Sequence, residues 1–227
     1  MWTTVVLIPF FSAIAIVGMW ELRRWALRWG TTPAELGRAW PGDELSPHAV
    51  EISTRAVTID APIENVWPWL VQIGQDRAGF YSYTWLENLF RCAMPRVERI
   101  VAEWQDRTVG DTVWLARRDR YRGEARQKVV QIVRGHVMTL AAPADWGRIL
   151  RRESSHSGTW AFILVPVHGG RTRLVVRSRG PEAPDFLGRL FWVFVFEPAH
   201  FIMERKMLLQ LKTLAERTPH SSVAIAS

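Results

Sequence analysis

The 227-residue sequence predicts an α+β fold, a curved antiparallel sheet of seven strands around a long C-terminal helix, with an N-terminal transmembrane helix in front. Three observations predict it. The first 20 residues carry no charged side chain; the middle of the chain reads as strands separated by glycine turns; residues 186–217 hold one extended helical pattern. Neighbouring antiparallel strands curl under their own twist, and a long helix must cover the concave face. A sheet curled against a helix leaves space between them, and that space is where function is expected.

The N-terminal element comes first. From Thr3 to Trp20 an ideal helix extends ~27 Å, close to the ~30 Å hydrocarbon core of a bilayer. Trp2 and Trp20 bracket this run, where amphipathic rings favour the headgroup layer. Arg23, Arg24 and Arg28, interleaved with Leu22, Trp25 and Trp29, suit a helix lying at the interface. Pro9 is tolerated in a spanning helix. No cationic residue precedes the run and no small-residue cleavage pattern follows it, which argues against a secretory signal. The expectation is a single-pass anchor, residues 1–29, with the arginines placing the C-terminal domain in the cytoplasm. A buried N-terminal helix of a soluble protein is the alternative.

Residues 30–50, punctuated by Gly30, Pro33, Pro41-Gly42 and Pro47, read as a tether. Within it, Thr32-Pro33-Ala34-Glu35 has capping-box spacing and predicts a short helix over 33–39. The folded domain then spans 51–217. Residues 51–60 (EISTRAVTID) are strand-like, and 63–73 form a helix with Ile63, Val66, Trp67, Leu70, Val71 and Ile73 on one face. Pro68 lies inside that helix and should distort it. A second short helix is expected at 84–90. Strands follow at 98–104, 111–118, 124–134 and 137–142, then at 157–167 and 171–179, the last two joined by Gly169-Gly170. The final helix runs from 186 to 217, with Pro198 restarting it after a bend. Phe196, His200, Met203, Met207, Leu211 and Leu214 share one stripe, with Glu204 and the neighbouring charges on the flanks. Residues 218–227 read as a frayed tail.

Composition narrows the function classes. With 48% apolar and 22% charged residues, intrinsic disorder is excluded. A lone cysteine, Cys92, excludes an intrachain disulfide or a multi-cysteine metal site. The six histidines show no metal-ligand spacing, and there is no G-x-G-x-x-G, P-loop or nucleophile elbow, so no metal and no cofactor is expected. The 13 tryptophans fit a membrane interface, an aromatic pocket, or both. Residues 1–46 are charge-balanced, so the formal +7 belongs to the rest of the chain. Alternation over 171–179 places Arg171, Arg173, Arg177 and Arg179 on one strand face. That face meets either solvent or, given the anchor, anionic phospholipid. Nucleic acid is not expected as a partner, because no recognised module accompanies the charge.

Sequence at the joints of these elements resembles the START/polyketide-cyclase/birch-pollen-allergen (SRPBCC) superfamily, in an uncharacterised bacterial branch. The resemblance rests on PGDEL at 41–45, STRAVTIDAP at 53–62, VWPWLVQIG at 66–74 and RAGFYSYTWLENL at 77–89. It continues through EWQDRTVGD at 103–111 and FEPAHFIMERKMLLQLK at 196–212, so that it covers about 41–217. Thr84 departs from the acidic residue expected after Tyr-Ser-Tyr. The resemblance implies a helix-grip fold with a hydrophobic pocket for a lipid-like, aromatic or polyketide-like molecule. It supplies no reaction, because the superfamily includes carriers and sensors as well as cyclases and dehydratases.

Candidate site residues follow. Phe80, Tyr81, Tyr83 and Trp85 offer rings with polar ends suited to orienting an apolar ligand, and Gln72 can add an amide. Trp104 and Trp160 lie on strands expected to wall the pocket, and His200, Met203 and Met207 extend the helix stripe into it. Each of these has a plainer reading as core. Glu197 and His200, three apart on the last helix, are candidates with Tyr81 for moving a proton if the site shifts their pKa values. Two functions therefore compete: a membrane-tethered binder of a hydrophobic small molecule or lipid, and a cyclase/dehydratase-type enzyme acting on a polyketide-like or aromatic substrate.

Overall fold

The computed structural model describes residues 2–89, 91–182 and 184–218, with side chains at Ile14 and from Ile16 onward. Helix α1 (Trp2–Leu27) is one continuous helix rather than a span followed by a separate interfacial piece. The tail from residue 219 lies outside the described residues.

Strands β1 (Ile52–Ile59), β2 (Thr112–Trp114), β3 (Arg126–Val133), β4 (Val137–Ala141), β5 (Thr159–Val167) and β6 (Arg171–Arg179) form one sheet in the order β1-β6-β5-β4-β3-β2. Every neighbouring pair is antiparallel. β5 and β6 pair over their full length around Gly169-Gly170, both at positive φ, which is the turn the glycine pair predicts. Among the described residues there are six strands rather than seven. The segment read as a strand over 98–104 has its backbone groups taken elsewhere: the buried Gln72 amide donates to the Arg99 carbonyl and accepts from the Val101 N–H. Residues 102–104 then close a single 3₁₀ turn.

Helices α3 (Ile63–Val71) and α4 (Thr84–Leu89) cross between β1 and β2, and α3 tolerates Pro68 but stops two residues short of its apolar pattern. A short helix, α5 (Trp146–Leu150), lies between β4 and β5 in a stretch read as connection. The last element runs unbroken through α6 (Phe186–Phe191), a π-turn (Trp192–Phe196) and α7 (Glu197–Arg217). Pro198 has no N–H to donate, and the helix widens in the turn just before it instead of restarting.

α7 packs on the concave face of the sheet with α3. Ile59, Leu70, Phe162, Leu174, Leu208 and Leu211 are fully buried between them and form the main core. Six antiparallel strands with a long C-terminal helix fit the helix-grip arrangement.

The convex face is covered as well. Residues 33–47, read as a tether, lie against it as a strap. α2 (Pro33–Gly37) starts from the capping box the sequence predicts, with the Glu35 N–H donating to Thr32 Oγ1 and the Thr32 N–H to the Glu35 carboxylate. Trp40 is buried over Ala56, Val137, Ala161, Ile163 and Val175 as a second core, and its Nε1 donates to the Glu35 carbonyl at 2.8 Å. Gly42 (φ +93°) passes so close to β4 and β5 that a Cβ there would stand 3.0 Å from Thr139 Oγ1. The arginines read as facing solvent or phospholipid hold this strap. Arg173 makes two 2.8 Å bonds to Glu35, and Arg177 and Arg179 share Asp43 Oδ1 at 2.6 and 3.0 Å. Arg171 is the exposed member of the set.

Candidate functional site

Between the concave face and α7 lies a cavity of about 820 Å³. Phe80, Leu86, Met94 and Leu115 form one wall, and Trp192, Phe196, Met203 and Met207 form another. The apolar lining is interrupted at three places by ionisable groups.

At the first, Arg55 projects from β1 and is wholly buried. Its Nη1 reaches Glu204 Oε2 at 2.5 Å, its Nε donates to the Ala26 carbonyl at 2.8 Å, and its guanidinium lies 5.3 Å from the Phe201 ring. The second Glu204 oxygen accepts from Trp160 Nε1 at 2.7 Å. His200 completes the group, with Nδ1 3.4 Å from Arg55 Nη1 and Nε2 3.6 Å from Glu204 Oε1. An arginine only donates, so Nδ1 is the acceptor and the imidazole proton sits on Nε2, facing the carboxylate. Burial pushes the His200 pKa down, and the nearby Arg55 charge adds to this against the pull of Glu204. The ring is therefore neutral at pH 7, packed between Phe196 at 5.3 Å and Trp160 at 5.6 Å. Its remaining accessible surface borders the cavity.

At the second place, Glu87 projects from α4. It is buried, its Oε2 has no hydrogen-bond partner among the described residues, and burial raises its pKa to about 7. The carboxyl group can thus carry a proton near neutral pH and offer it to an acceptor in the cavity. Cys92 borders the same region, and burial followed by the Glu87 charge raises its thiol pKa.

Glu51 and Glu197 lie at a third edge and share one cation. Arg23 donates to both Glu197 oxygens at 2.7 and 2.8 Å and to Glu51 at 2.6 Å, tying α1 to β1 and α7.

The cavity brings together Phe80, Trp160, His200, Met203 and Met207 from the residues singled out in sequence. The other candidates lie elsewhere. Gln72 and Tyr81 are buried in the core, with Gln72 Nε2 donating to the Tyr81 hydroxyl at 2.8 Å and that hydroxyl donating to the Trp69 carbonyl at 3.1 Å. Burial raises the Tyr81 pKa, so its proton stays in place. Tyr83 supplies the carbonyl that starts α4, Trp85 is exposed on that helix, and Trp104 packs at the edge of the core beside the Gln72 network. Glu197 borders the cavity but is clasped by Arg23, so the three proton-moving candidates Glu197, His200 and Tyr81 do not converge. Arg55, Glu204 and Glu87 are functional groups the sequence reading passed over. Glu204 stands one turn after His200 and three residues before Met207, spacing that places it on the inward stripe rather than its flank.

Solved structures similar to this chain include norcoclaurine synthase from Thalictrum flavum, at 13% identity over 80% of this chain and 96% of that one, with a TM-score of 0.40. Others are a polyketide-cyclase-like protein from Corynebacterium glutamicum (14% identity, 72% and 88% coverage, TM-score 0.34) and a Mesorhizobium loti protein (15%, 74% and 99%, TM-score 0.41). No family model and no curated protein matches the chain.

Proposed function

We propose that this protein binds a hydrophobic small molecule or lipid in the cavity between sheet and C-terminal helix, and is held at a membrane by its N-terminal helix. The observation that carries the reading is the cavity itself: about 820 Å³, with a mainly apolar surface to which Phe80, Trp160, Trp192, Phe196, Met203 and Met207 contribute. Sites of ~300–1,000 Å³ with this kind of lining enclose most of a small ligand's surface. Removing that surface from water at ~25 cal/mol per Å² is the driving force, and a few polar groups set orientation. His200 and Glu87 are the groups placed to do so. A neutral imidazole and a carboxyl that retains its proton near pH 7 hydrogen-bond a hydroxyl or carbonyl without the cost of burying a new charge. The ligand class that fits is an elongated apolar molecule with such neutral polar groups.

Support for the tether comes from α1. Residues 1–20 carry no charged side chain, and Ile14, Ile16, Val17 and Met19 each stand more than half exposed on the helix. The arginines after the run support a cytoplasmic side for the folded domain.

The test is extraction. Delipidated full-length protein is incubated with membranes, re-isolated and analysed by mass spectrometry. Recovery of a stoichiometric lipid or aromatic compound is expected, and protein that returns empty from membranes of every composition contradicts the reading.

A further inference from the structure

We propose that residues 186–196 are a second membrane-contacting element, which beds into the bilayer beside α1 and sets the cavity opening against lipid. This rests on the membrane-tethered reading above and adds a site and an occupant to it. The segment FLGRLFWVFVF contains a single charge, and Phe186, Leu187, Phe191, Phe194 and Val195 are each more than half exposed. A surface helix in water keeps a polar face outward; one that is apolar all round belongs in a protein core or in lipid. Here the inward positions are already taken. Trp192 and Phe196, stacked at 4.3 Å, border the cavity, and most of the segment's other large apolar side chains are exposed. So many exposed large apolar side chains within eleven residues are not the scattered hydrophobics of an ordinary surface, and such a patch marks an interaction site. Its one cation, Arg189, is exposed and lies 3.6 Å from Glu51, at the edge of the segment nearest β1.

Two further observations commit the occupant to lipid. The helix that continues the segment, α7, is clamped to α1, since Arg23 bridges Glu51 and Glu197 and the Trp25 ring meets Phe201 edge-on at 5.3 Å. α7 thus joins the segment to a helix whose exposed residues include Val17, Met19, Trp20, Leu22 and Trp25, apolar side chains of the kind that insert at an acyl–headgroup boundary, with Glu21 and Arg24 exposed among them. The cavity also reaches the surface here: Phe196 and Ala199 line it and are exposed. An apolar ligand leaving the bilayer at this rim enters the cavity without crossing water.

The experiment uses the full chain in vesicles of phosphatidylcholine with a minority of phosphatidylglycerol. An environment-sensitive fluorescent amino acid replaces Phe194, Ile16 or His168 in turn, the last being exposed on the β5–β6 hairpin. Doxyl-labelled lipid and aqueous iodide serve as quenchers. Doxyl lipid is expected to quench position 194 at least about threefold more than position 168, with iodide showing the reverse order. If position 194 behaves like 168 while position 16 is quenched by lipid, the inference fails and the tether stands. Quenching by lipid at neither 194 nor 16 overturns both. Lipid quenching at 194 without 16 overturns the tether and the placement beside α1, leaving 186–196 as the membrane contact.

Discussion

The two faces of the sheet bury arginines in different ways. On the convex face, Arg173, Arg177 and Arg179 meet Glu35 and Asp43 of the strap, every contact is local to the sheet surface, and Trp40 fills what remains. On the concave face, Arg55 and Glu204 pair just as closely, but they stand in the wall of a cavity with His200 and Trp160 aligned on them, and Glu87 nearby has an oxygen with no hydrogen-bond partner among the described residues. The contrast teaches how to separate structural charge from functional charge. Saturated ion pairs over a filled core hold a strap in place. A saturated pair beside empty space holds a ring in one orientation toward whatever fills that space.

The comparison can be broken first at its deepest charges. Glu204→Ala leaves Arg55 buried without its counter-charge and is expected to cost about 3–5 kcal/mol in denaturant unfolding. The double replacement Arg55→Met with Glu204→Leu should restore most of that stability while freeing His200 and Trp160, so that apolar-ligand binding suffers more than folding does. On the convex face, Asp43→Ala is expected to cost only about 1–2 kcal/mol, because that carboxylate is partly solvated. Equal costs for Asp43→Ala and Glu204→Ala would erase the distinction.

Next in size is Trp40→Ala, a large-to-small change in a closed core, expected to cost about 3 kcal/mol and to leave binding of an apolar probe unchanged. Lost probe binding in a folded variant would show that the two faces are coupled.

Glu87 offers a pH test. Its folded pKa of about 7 lies above its ordinary value of 4.5, so the folded state holds the proton more tightly than the unfolded chain. Stability therefore falls as pH rises from about 4.5 to about 7, and the penalty is complete above that. Glu87→Gln removes it: the variant should gain up to about 3 kcal/mol over the parent at pH 8 and little at pH 5. A gain that does not depend on pH would mean the carboxyl is already ionised in the folded protein.

The smallest effect is Gly42→Ala. A side chain at φ +93°, 3.0 Å from Thr139 Oγ1, should loosen the strap at a cost of about 1 kcal/mol, read as faster amide exchange over 40–46.

Much of the fold was legible because local signals agreed with tertiary demand. The β5–β6 hairpin shows in its glycine pair, α3 in its apolar spacing, and α7 in its inward stripe. The failures have particular causes. Residues 98–104 alternate like a strand, but a single buried amide, Gln72, competes for their backbone groups, and sequence does not reveal which side chain will arrive. Trp40 sits between prolines and glycines and reads as linker, although its indole caps the convex core. Five of the expected pocket residues line the cavity, since helix stripe and strand position are local properties. Tyr81 was placed by its neighbours in a Phe-Tyr-Ser-Tyr run, yet its backbone adopts φ +54° and turns the ring into the core. Arg55 and Glu204 were hidden because each looks like an ordinary surface charge until β1 and α7 come together.

The central claim is that the concave cavity receives an apolar ligand. The most direct measurement is equilibrium titration of the full-length protein with a fluorescent apolar probe, compared with Ala199→Trp/Met203→Trp, which narrows the cavity from the α7 side. We expect saturable one-to-one binding in the parent and at least about tenfold weaker binding in a folded variant. Equal binding in both would contradict the claim, because the probe would then be held somewhere other than between the sheet and the helix.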